Sequence, residues 1–457
     1  MSTRATTGVA QLEDTIVAMA TPTGMGALAL VRLSGSGAYE IARKHIRPWP
    51  SEPRAAQLST VYNLGEVLDR SLVTLFPGPN SFTGDDTVEI STHGGYLVPA
   101  SIVAALITSG ARQALPGEFT RRAVLNGKLD ILQAEAIGDL IDARSHAMQH
   151  AALGQLDGGL SRRLLQLRED LVGLESLIAY DIDFPEEDDG PVPRDRIENA
   201  IVKLVASLEA LLATAPVGEL VREGAVVVIA GPPNAGKSSL FNSLLGRSRA
   251  IVTEIPGTTR DALEAVIDSG KWPLRLVDTA GLRETVDPIE RLGIEVSERY
   301  LASAAVILAC AEDSDGLDQT IDYIGRKSTA LVIAVRTKVD LAPRRVDLDG
   351  DRIVQVSAHT GEGLQSLLDA INDAIASKYG EAAPDLPILT KARHRQALTT
   401  ALAEIVQFQQ AWREEKLPAP VASVHLRAAV YVLEELIGGV DVEDVLDRVF
   451  SSFCVGK

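Results

Sequence analysis

Ala225-Val226-Val227-Val228-Ile229-Ala230, followed by Gly231-Pro232-Pro233-Asn234-Ala235-Gly236-Lys237-Ser238, opens the stretch from Ala225 to Gly281 on which the reading of the whole chain turns. The apolar run reads as a buried strand, and Ser239 to Leu245 has helical character. Between them stands G-x-x-x-x-G-K-S, in the strand-then-helix context that a phosphate-binding loop requires. Gly231 and Gly236 let the backbone curl so that successive N–H groups face phosphate oxygens. The following helix adds its positive N-terminal end. Lys237 can reach the outer phosphates, and the Ser238 hydroxyl can ligate Mg²⁺. Asn234 to Ser239 are therefore the candidate phosphate-facing residues.

The rest of a nucleotide site follows in order: Gly257-Thr258-Thr259-Arg260-Asp261, Asp278-Thr279-Ala280-Gly281, Thr337-Lys338-Val339-Asp340 and Ser357-Ala358. Asp278 ends the apolar run Leu274 to Val277, where a carboxylate can hold Mg²⁺ through water. The Asp340 carboxylate can accept hydrogen bonds from guanine N1 and N2, a donor pair that adenine lacks. An ordered set of this kind argues against a chance glycine turn. It points to a GTPase rather than to a kinase or a plain ATPase.

Outward from this core the chain changes character on both sides. Residues 218–380 alternate strand and helix, with Ala304 to Ala309 and Leu331 to Val335 as further buried strands and Leu364 to Ile375 as a helix. This is the pattern of a doubly wound parallel sheet. Residues 129–217 carry apolar positions at helical spacing, from Leu132 and Ile137 to Leu171, Leu174 and Ile178, and the pattern resumes from Arg196 to Ala213. The acidic run Glu186-Glu187-Asp188-Asp189 reads as a solvated bend rather than a metal site. Residues 381–457 are helical again, through Ala392 to Gln410, Leu426 to Ile437 and Val442 to Phe450. Helices before and after an intact α/β unit imply one helical domain interrupted by the nucleotide domain. Residues 1–128 read as α+β, with strands at Thr15 to Ala20, Ala27 to Leu33 and Thr87 to Ser91, and helices at Ala38 to His45 and Pro99 to Ser109.

The length of 457 residues suggests roughly three domains, and 46% hydrophobic with 23% charged residues is ordinary for a soluble globular protein. The net charge of −18 makes the chain a poor solo binder of nucleic acid. If RNA is the substrate, a local patch or a basic partner must hold it. Cys310 and Cys454 make no disulfide framework and fit a reducing compartment, with Cys310 read as core. No apolar run approaches the length of a membrane span, and the N-terminus lacks a secretory pattern. The expected location is cytoplasmic.

One part of a Ras-type site is missing. The glutamine that follows D-x-x-G and orients the attacking water is replaced by Leu282, which cannot do so. Glu284, Asp287 and Glu290 are the nearest acidic candidates, and spacing does not choose among them. Arg260 and Arg283 are candidate arginine fingers; the bland alternative for each is a surface ion pair of little energetic consequence.

Several unlinked segments carry a resemblance that spans essentially the whole chain. They are Phe76-Pro77-Gly78-Pro79-Asn80-Ser81-Phe82-Thr83-Gly84, His93-Gly94-Gly95, Pro116-Gly117-Glu118-Phe119, Asn126-Gly127-Lys128-Leu129-Asp130, Asp278 to Glu284 and Phe453-Cys454-Val455-Gly456-Lys457. The chain resembles the MnmE (TrmE) type of tRNA-modification GTPase. The resemblance implies an N-terminal folate-binding domain at 1–128 that forms a homodimer, a helical domain at 129–217 and 381–457, and a GTPase domain at 218–380. It implies GTP-dependent modification of C5 of the wobble uridine in certain tRNAs, with an FAD- and NADH-using partner of the MnmG (GidA) type and a tetrahydrofolate one-carbon donor. A regulatory or ribosome-assembly GTPase is the alternative. The strongly acidic balance and the absence of a basic tail argue against it. A folate-dependent methyltransferase with a degenerate GTPase is a third reading, opposed by the intact Lys237, Ser238 and Asp278.

Residue by residue, the resemblance places Asn234 and the loop Thr253-Glu254-Ile255-Pro256-Gly257-Thr258 around K⁺, with Thr253, Ile255 and Thr258 as ligands beside Asn234. It places Ser238 and Thr259 on Mg²⁺, Glu290 on the water-orienting position, and Arg32, Glu89, Lys128 and Lys457 on folate. Cys454 falls in the terminal motif, where a packing or positioning role is expected. Two departures stand out. Thr337 replaces the usual Asn of the guanine motif, so that guanine preference rests on Asp340, and Pro256 stiffens the K⁺ loop.

Overall fold

The computed structural model describes residues 14–183, 193–247, 263–278, 299–341, 353–380, 387–414, 419–438, 453 and 456. The chain forms two compact units, 1–138 with 433–457, and 139–432. In the first unit a seven-stranded sheet is built from β1 (Ile16–Met19), β2 (Leu28–Ser34), β3 (Ile46–Arg47), β4 (Gln57–Asn63), β5 (Glu66–Phe76), β6 (Thr87–His93) and β7 (Arg112–Gln113), in the order β3-β4-β5-β6-β2-β1-β7. Period-two alternation sends Val31, Leu33, Val73, Leu75, Val88 and Ile90 into a core that also holds Ile41, Ile102 and Leu106 of the helices Ala38–Arg43 and Leu97–Thr108. The opposite face carries Arg32 and Glu89, which are register partners, and exposes Leu28, Leu58 and Leu72. The chain end returns to this unit, with the Phe453 ring against Gly138 and Gly456 against Met19.

The β4–β5 hairpin is absent from the sequence reading. Its two-residue turn is Leu64-Gly65, both with positive φ, as a type I′ turn demands. Leucine at the first position hides the turn signal that Asn or Asp would supply.

In the second unit a six-stranded sheet runs β13-β12-β11-β8-β10-β9, from β8 (Ala225–Ala230), β9 (Leu263–Asp268), β10 (Pro273–Asp278), β11 (Val306–Ala311), β12 (Leu331–Arg336) and β13 (Ile353–Gln355). β8 lies at the centre with parallel neighbours on each side. It is covered on both faces, which is why it reads as a continuous apolar run. The sheet departs from the expected all-parallel form at one edge, where β9 is antiparallel to β10. Only Ser269 to Trp272 join the two strands. A parallel pairing would need a crossover of a dozen or more residues.

The helical part brings Gly159–Asp183, Arg194–Leu212 and Ala392–Glu414 together. Leu160, Leu164, Leu167, Leu171, Leu174 and Ile178 are buried along the first, and Leu398, Ile405 and Phe408 along the last. Arg413 clamps Glu198 with both Nε and Nη2. The nucleotide sheet is thus inserted into the helical domain, as the sequence pattern implies. Helix His146–Leu156 packs Ala147, Met148 and Ala151 against the nucleotide core. Its first N–H, from His146, donates to Asp268 Oδ2 at 3.0 Å. Among the described residues one stretch, Arg194–Glu223, is long and apolar enough to cross a membrane by length and composition. It is two helices, Arg194–Leu212 and Ala215–Glu223. In the first, Ile197, Ile201, Leu204, Leu208 and Leu211 form a buried stripe.

Candidate functional site

The loop after β8 is shaped by what lies beside it. A side chain at Gly231 would overlap the carbonyl oxygen of Cys310 on β11, so only glycine lets the chain leave the sheet there. Burial pushes the Cys310 thiol up to about 12, which keeps it a packing group. Asn234 and Gly236 take positive φ, at 63° and 79°. The loop closes over Lys237, whose ammonium donates to the carbonyls of Gly231 at 2.8 Å and Pro232 at 2.7 Å. Helix Lys237–Arg247 starts at that lysine, with Leu240, Phe241 and Leu244 anchoring it to the core. Ser238 and Ser239 are exposed at its first turn. Asp278 ends β10 fully buried, in register with Ile229 of β8. A hydroxyl and a carboxylate at the adjoining ends of this helix and strand are the hard oxygen donors that suit Mg²⁺.

The base-side residues are tied to the same loop. The Thr337 hydroxyl donates to the Ala235 carbonyl at 2.7 Å, with the Ala311 carbonyl a longer alternative at 3.2 Å. Lys338 pairs with Glu312, and its stem packs over Gly236. The Ser357 hydroxyl donates to Asp340 Oδ1 at 2.7 Å, which orients an exposed carboxylate. Ser243 of the phosphate-loop helix donates to the Ala358 carbonyl at 2.9 Å. Asn234 to Ser239, Asp278, Thr337, Lys338, Asp340, Ser357 and Ala358 therefore gather around the ends of β8 and its neighbours. Thr253 to Thr259, Thr279 to Gly281, Glu290 and Lys457 lie outside the described residues.

The Thr337 tie carries a testable consequence. Thr337→Val removes the donor to Ala235, and a neutral hydrogen bond contributes about 0.5–1.5 kcal/mol. GTP and GDP affinities should fall together, by up to about tenfold, with turnover at saturating GTP unchanged. Thr337→Ser should restore binding. Stopped-flow dissociation of a fluorescent guanine nucleotide measures the change, and equal rates for the wild type and Thr337→Val would refute the role.

Residues 131–454 match the family model of the MnmE helical domain, and residues 15–128 match that of the GTP-binding protein TrmE N-terminus. The chain belongs to the MnmE family. It is 42% identical to the tRNA modification GTPase MnmE of Heliobacterium modesticaldum, over 97% of this chain and 99% of that one. It is 38% identical to the protein of the same name from Aquifex aeolicus, over 98% and 100%. A solved G domain of the T. maritima FeoB iron transporter is 28% identical and covers 33% of this chain and 98% of that one, at a TM-score of 0.27 that carries no weight for the fold.

The second set of expected site residues in this MnmE-family chain lies in the first unit. Arg32 Nε and Nη2 both reach Glu89 Oε1, at 2.9 and 2.8 Å. The Arg32 guanidinium lies 5.6 Å from the Phe82 ring centre and 5.7 Å from that of Phe119. Sequence spacing does not reveal that these two aromatic rings flank the arginine, although both fall inside quoted motifs. Lys128 is exposed just after helix Glu118–Leu125. His93 of the His-Gly-Gly motif donates its backbone N–H to Asp69, whose carboxylate also pairs with the imidazole Nδ1 at 2.7 Å. Burial alone would raise Asp69, but hydrogen bonds from Thr92, His93 and Ser71 outweigh it and hold the carboxyl well below its usual range.

Proposed function

We propose that this chain is a Mg²⁺-dependent, K⁺-stimulated GTP hydrolase that acts in the cytoplasm as a homodimer. With an FAD-dependent MnmG-type partner it modifies C5 of the wobble uridine of certain tRNAs to a (carboxymethyl)aminomethyl group, using a tetrahydrofolate one-carbon unit. The observation that carries this reading is the gathering of the phosphate loop, Asp278, Thr337, Asp340 and Ser357 at one sheet end, in a chain of the MnmE family. Lys237 and the loop N–H groups hold phosphates, Ser238 and Thr259 hold Mg²⁺, and Asp340 selects guanine. The metal supplies charge neutralisation between the phosphates when bound. Exposed Leu28, Leu58 and Leu72 on the open sheet face support pairing of two copies through the N-terminal unit. Deleting the gene and profiling tRNA nucleosides by mass spectrometry tests the reading. An unchanged wobble-uridine profile excludes it in favour of a regulatory GTPase.

Arg32 and Glu89 are assigned to folate together with Lys128 and Lys457. A carboxylate suits pterin N–H donors, and cations suit the anionic glutamate tail. Glu89→Ala and Lys457→Ala should abolish binding of 5-formyl-tetrahydrofolate in calorimetry while GTP hydrolysis stays near wild type. Wild-type folate affinity in both variants would sink the assignment.

Asn234 and the carbonyls of Thr253 and Ile255, with the Thr258 group, are assigned to K⁺. Asn234 is exposed on the phosphate loop with a side-chain oxygen suited to a hard cation. GTP hydrolysis should run faster in KCl than in NaCl at matched ionic strength, with NH₄⁺ or Rb⁺ substituting, and Asn234→Ala should lose the response. Equal rates in the two salts rule the assignment out.

A further inference from the structure

Register sets β2 against β6 so that Arg32 stands directly opposite Glu89, and both side chains belong to the open face of the first sheet. Arg32 Nε donates to Glu89 Oε1 at 2.9 Å, and Nη2 lies 2.8 Å from the same oxygen. Both contacts fall on one carboxylate oxygen. Among the described residues no group hydrogen-bonds Glu89 Oε2 or the Arg32 Nη1 donors. The two side chains are 20% and 23% exposed, half-buried yet open to a ligand.

The pair is held from its sides. The rings of Phe82 and the fully buried Phe119 lie 5.6 and 5.7 Å from the guanidinium carbon. The Phe82 loop is fixed in turn. The Ser34 and Thr83 hydroxyls share a hydrogen bond of 2.7 Å, and Asn126 donates to the Thr83 carbonyl at 2.6 Å. Such a frame keeps a free acceptor and free donors side by side, so that binding orders little. The lactam edge of a ring presents an N–H beside a C=O and matches that pair group for group. A carboxylate with both oxygens free would instead take two N–H donors from an amidine edge.

We propose that Arg32 and Glu89 together read the lactam edge of a 4-oxopteridine, with its N3–H donating to Glu89 Oε2 and its C4 oxygen accepting from the Arg32 guanidinium. The inference rests on the folate assignment made above and adds which edge of the ring decides affinity. The 2-amino group is then not read by the pair, and a 4-amino-4-deoxy analogue is rejected. In that analogue the exocyclic amine turns a donor towards the guanidinium and N3 turns a lone pair towards the carboxylate. Both contacts change from attraction to repulsion, and the buried partners lose their hydrogen bonds.

Calorimetry on the full-length protein tests this by comparing 5-formyl-tetrahydrofolate with its 4-amino-4-deoxy and 2-desamino counterparts. A hydrogen bond to a charged group contributes about ten- to a hundredfold in affinity. Two are lost, so the 4-amino-4-deoxy ligand should bind about 10²–10⁴-fold more weakly, while the 2-desamino ligand binds within a few-fold of the parent. Glu89→Gln puts an amide NH₂ in place of Oε2, a donor suited to the N3 lone pair of the 4-amino ligand. It should narrow the gap between the 4-oxo and 4-amino ligands by about tenfold or more, a change of ratio that a loss of folding does not produce. The wild-type ligand series decides the inference whether or not that variant folds. Equal wild-type affinities for the 4-oxo and 4-amino ligands overturn it. So does a loss on removing the 2-amino group as large as the loss on changing C4, which would mark the amidine edge as the one read. Either result leaves the folate assignment in place. Failure of the wild type to bind 5-formyl-tetrahydrofolate at all overturns both.

Discussion

Replacing Glu290 by alanine is expected to slow GTP hydrolysis by about 10²–10⁴-fold while leaving GTP binding intact. The position that carries glutamine in Ras-type enzymes holds Leu282, which has no polar atom to orient water. The family resemblance assigns that task to Glu290. Glu290 itself lies outside the described residues, and in the sequence it falls between Asp278 and Tyr300. Asp278 is buried at the end of β10, and the Tyr300 hydroxyl donates to Glu264 of β9. Burial, with the Glu264 hydrogen bond adding to it, pushes the Tyr300 phenol up to about 12, so it stays a donor across the assay range. Single-turnover hydrolysis with saturating enzyme separates the chemical step from binding. Should Glu284→Ala or Asp287→Ala be the crippled variant, with Glu290→Ala near wild type, the assignment is wrong.

Asp340→Asn is expected to lower GTP affinity by about 10²–10⁴-fold and to turn the preference towards xanthine nucleotides. Hydrogen bonds to a charged group contribute about 1.5–3 kcal/mol each, and the carboxylate accepts two from guanine. The amide of Asn offers one acceptor and a donor, which matches the C2 carbonyl of xanthine. Ser357 holds Asp340 Oδ1 at 2.7 Å, so the substituted side chain keeps its place and the change is one of chemistry rather than of position. Competitive titration of GTP against XTP reads the ratio. Unchanged selectivity would show that discrimination lies elsewhere, with Thr337 the next residue to vary.

The nucleotide site was legible because its parts are contiguous words. Gly231 to Ser238 is a local backbone instruction in which glycine, lysine and hydroxyl sit at set spacings on one turn. The buried strand before it and the amphipathic helix after it are short-range patterns as well. The insertion of the nucleotide domain into the helical domain could be read from the change of hydrophobic period on each side.

Other features required the fold. Nothing in the order of residues says that Arg32 will spend its guanidinium on Glu89 between two phenylalanines, because that pairing is set by the register of β2 on β6. Thr337 reads as a departure from the guanine motif. Its hydroxyl becomes a tie to Ala235 only when β12 delivers it beside a loop about a hundred residues earlier. By itself the sequence determined the phosphate loop, the strand and helix classes around it and the order of the domains, since propensity, turn chemistry and hydrophobic period act over a few residues. Tertiary structure alone decided the antiparallel edge strand, the Arg32–Glu89 pair and the Thr337 tie, since each depends on which distant segments hydrogen-bond or pack together.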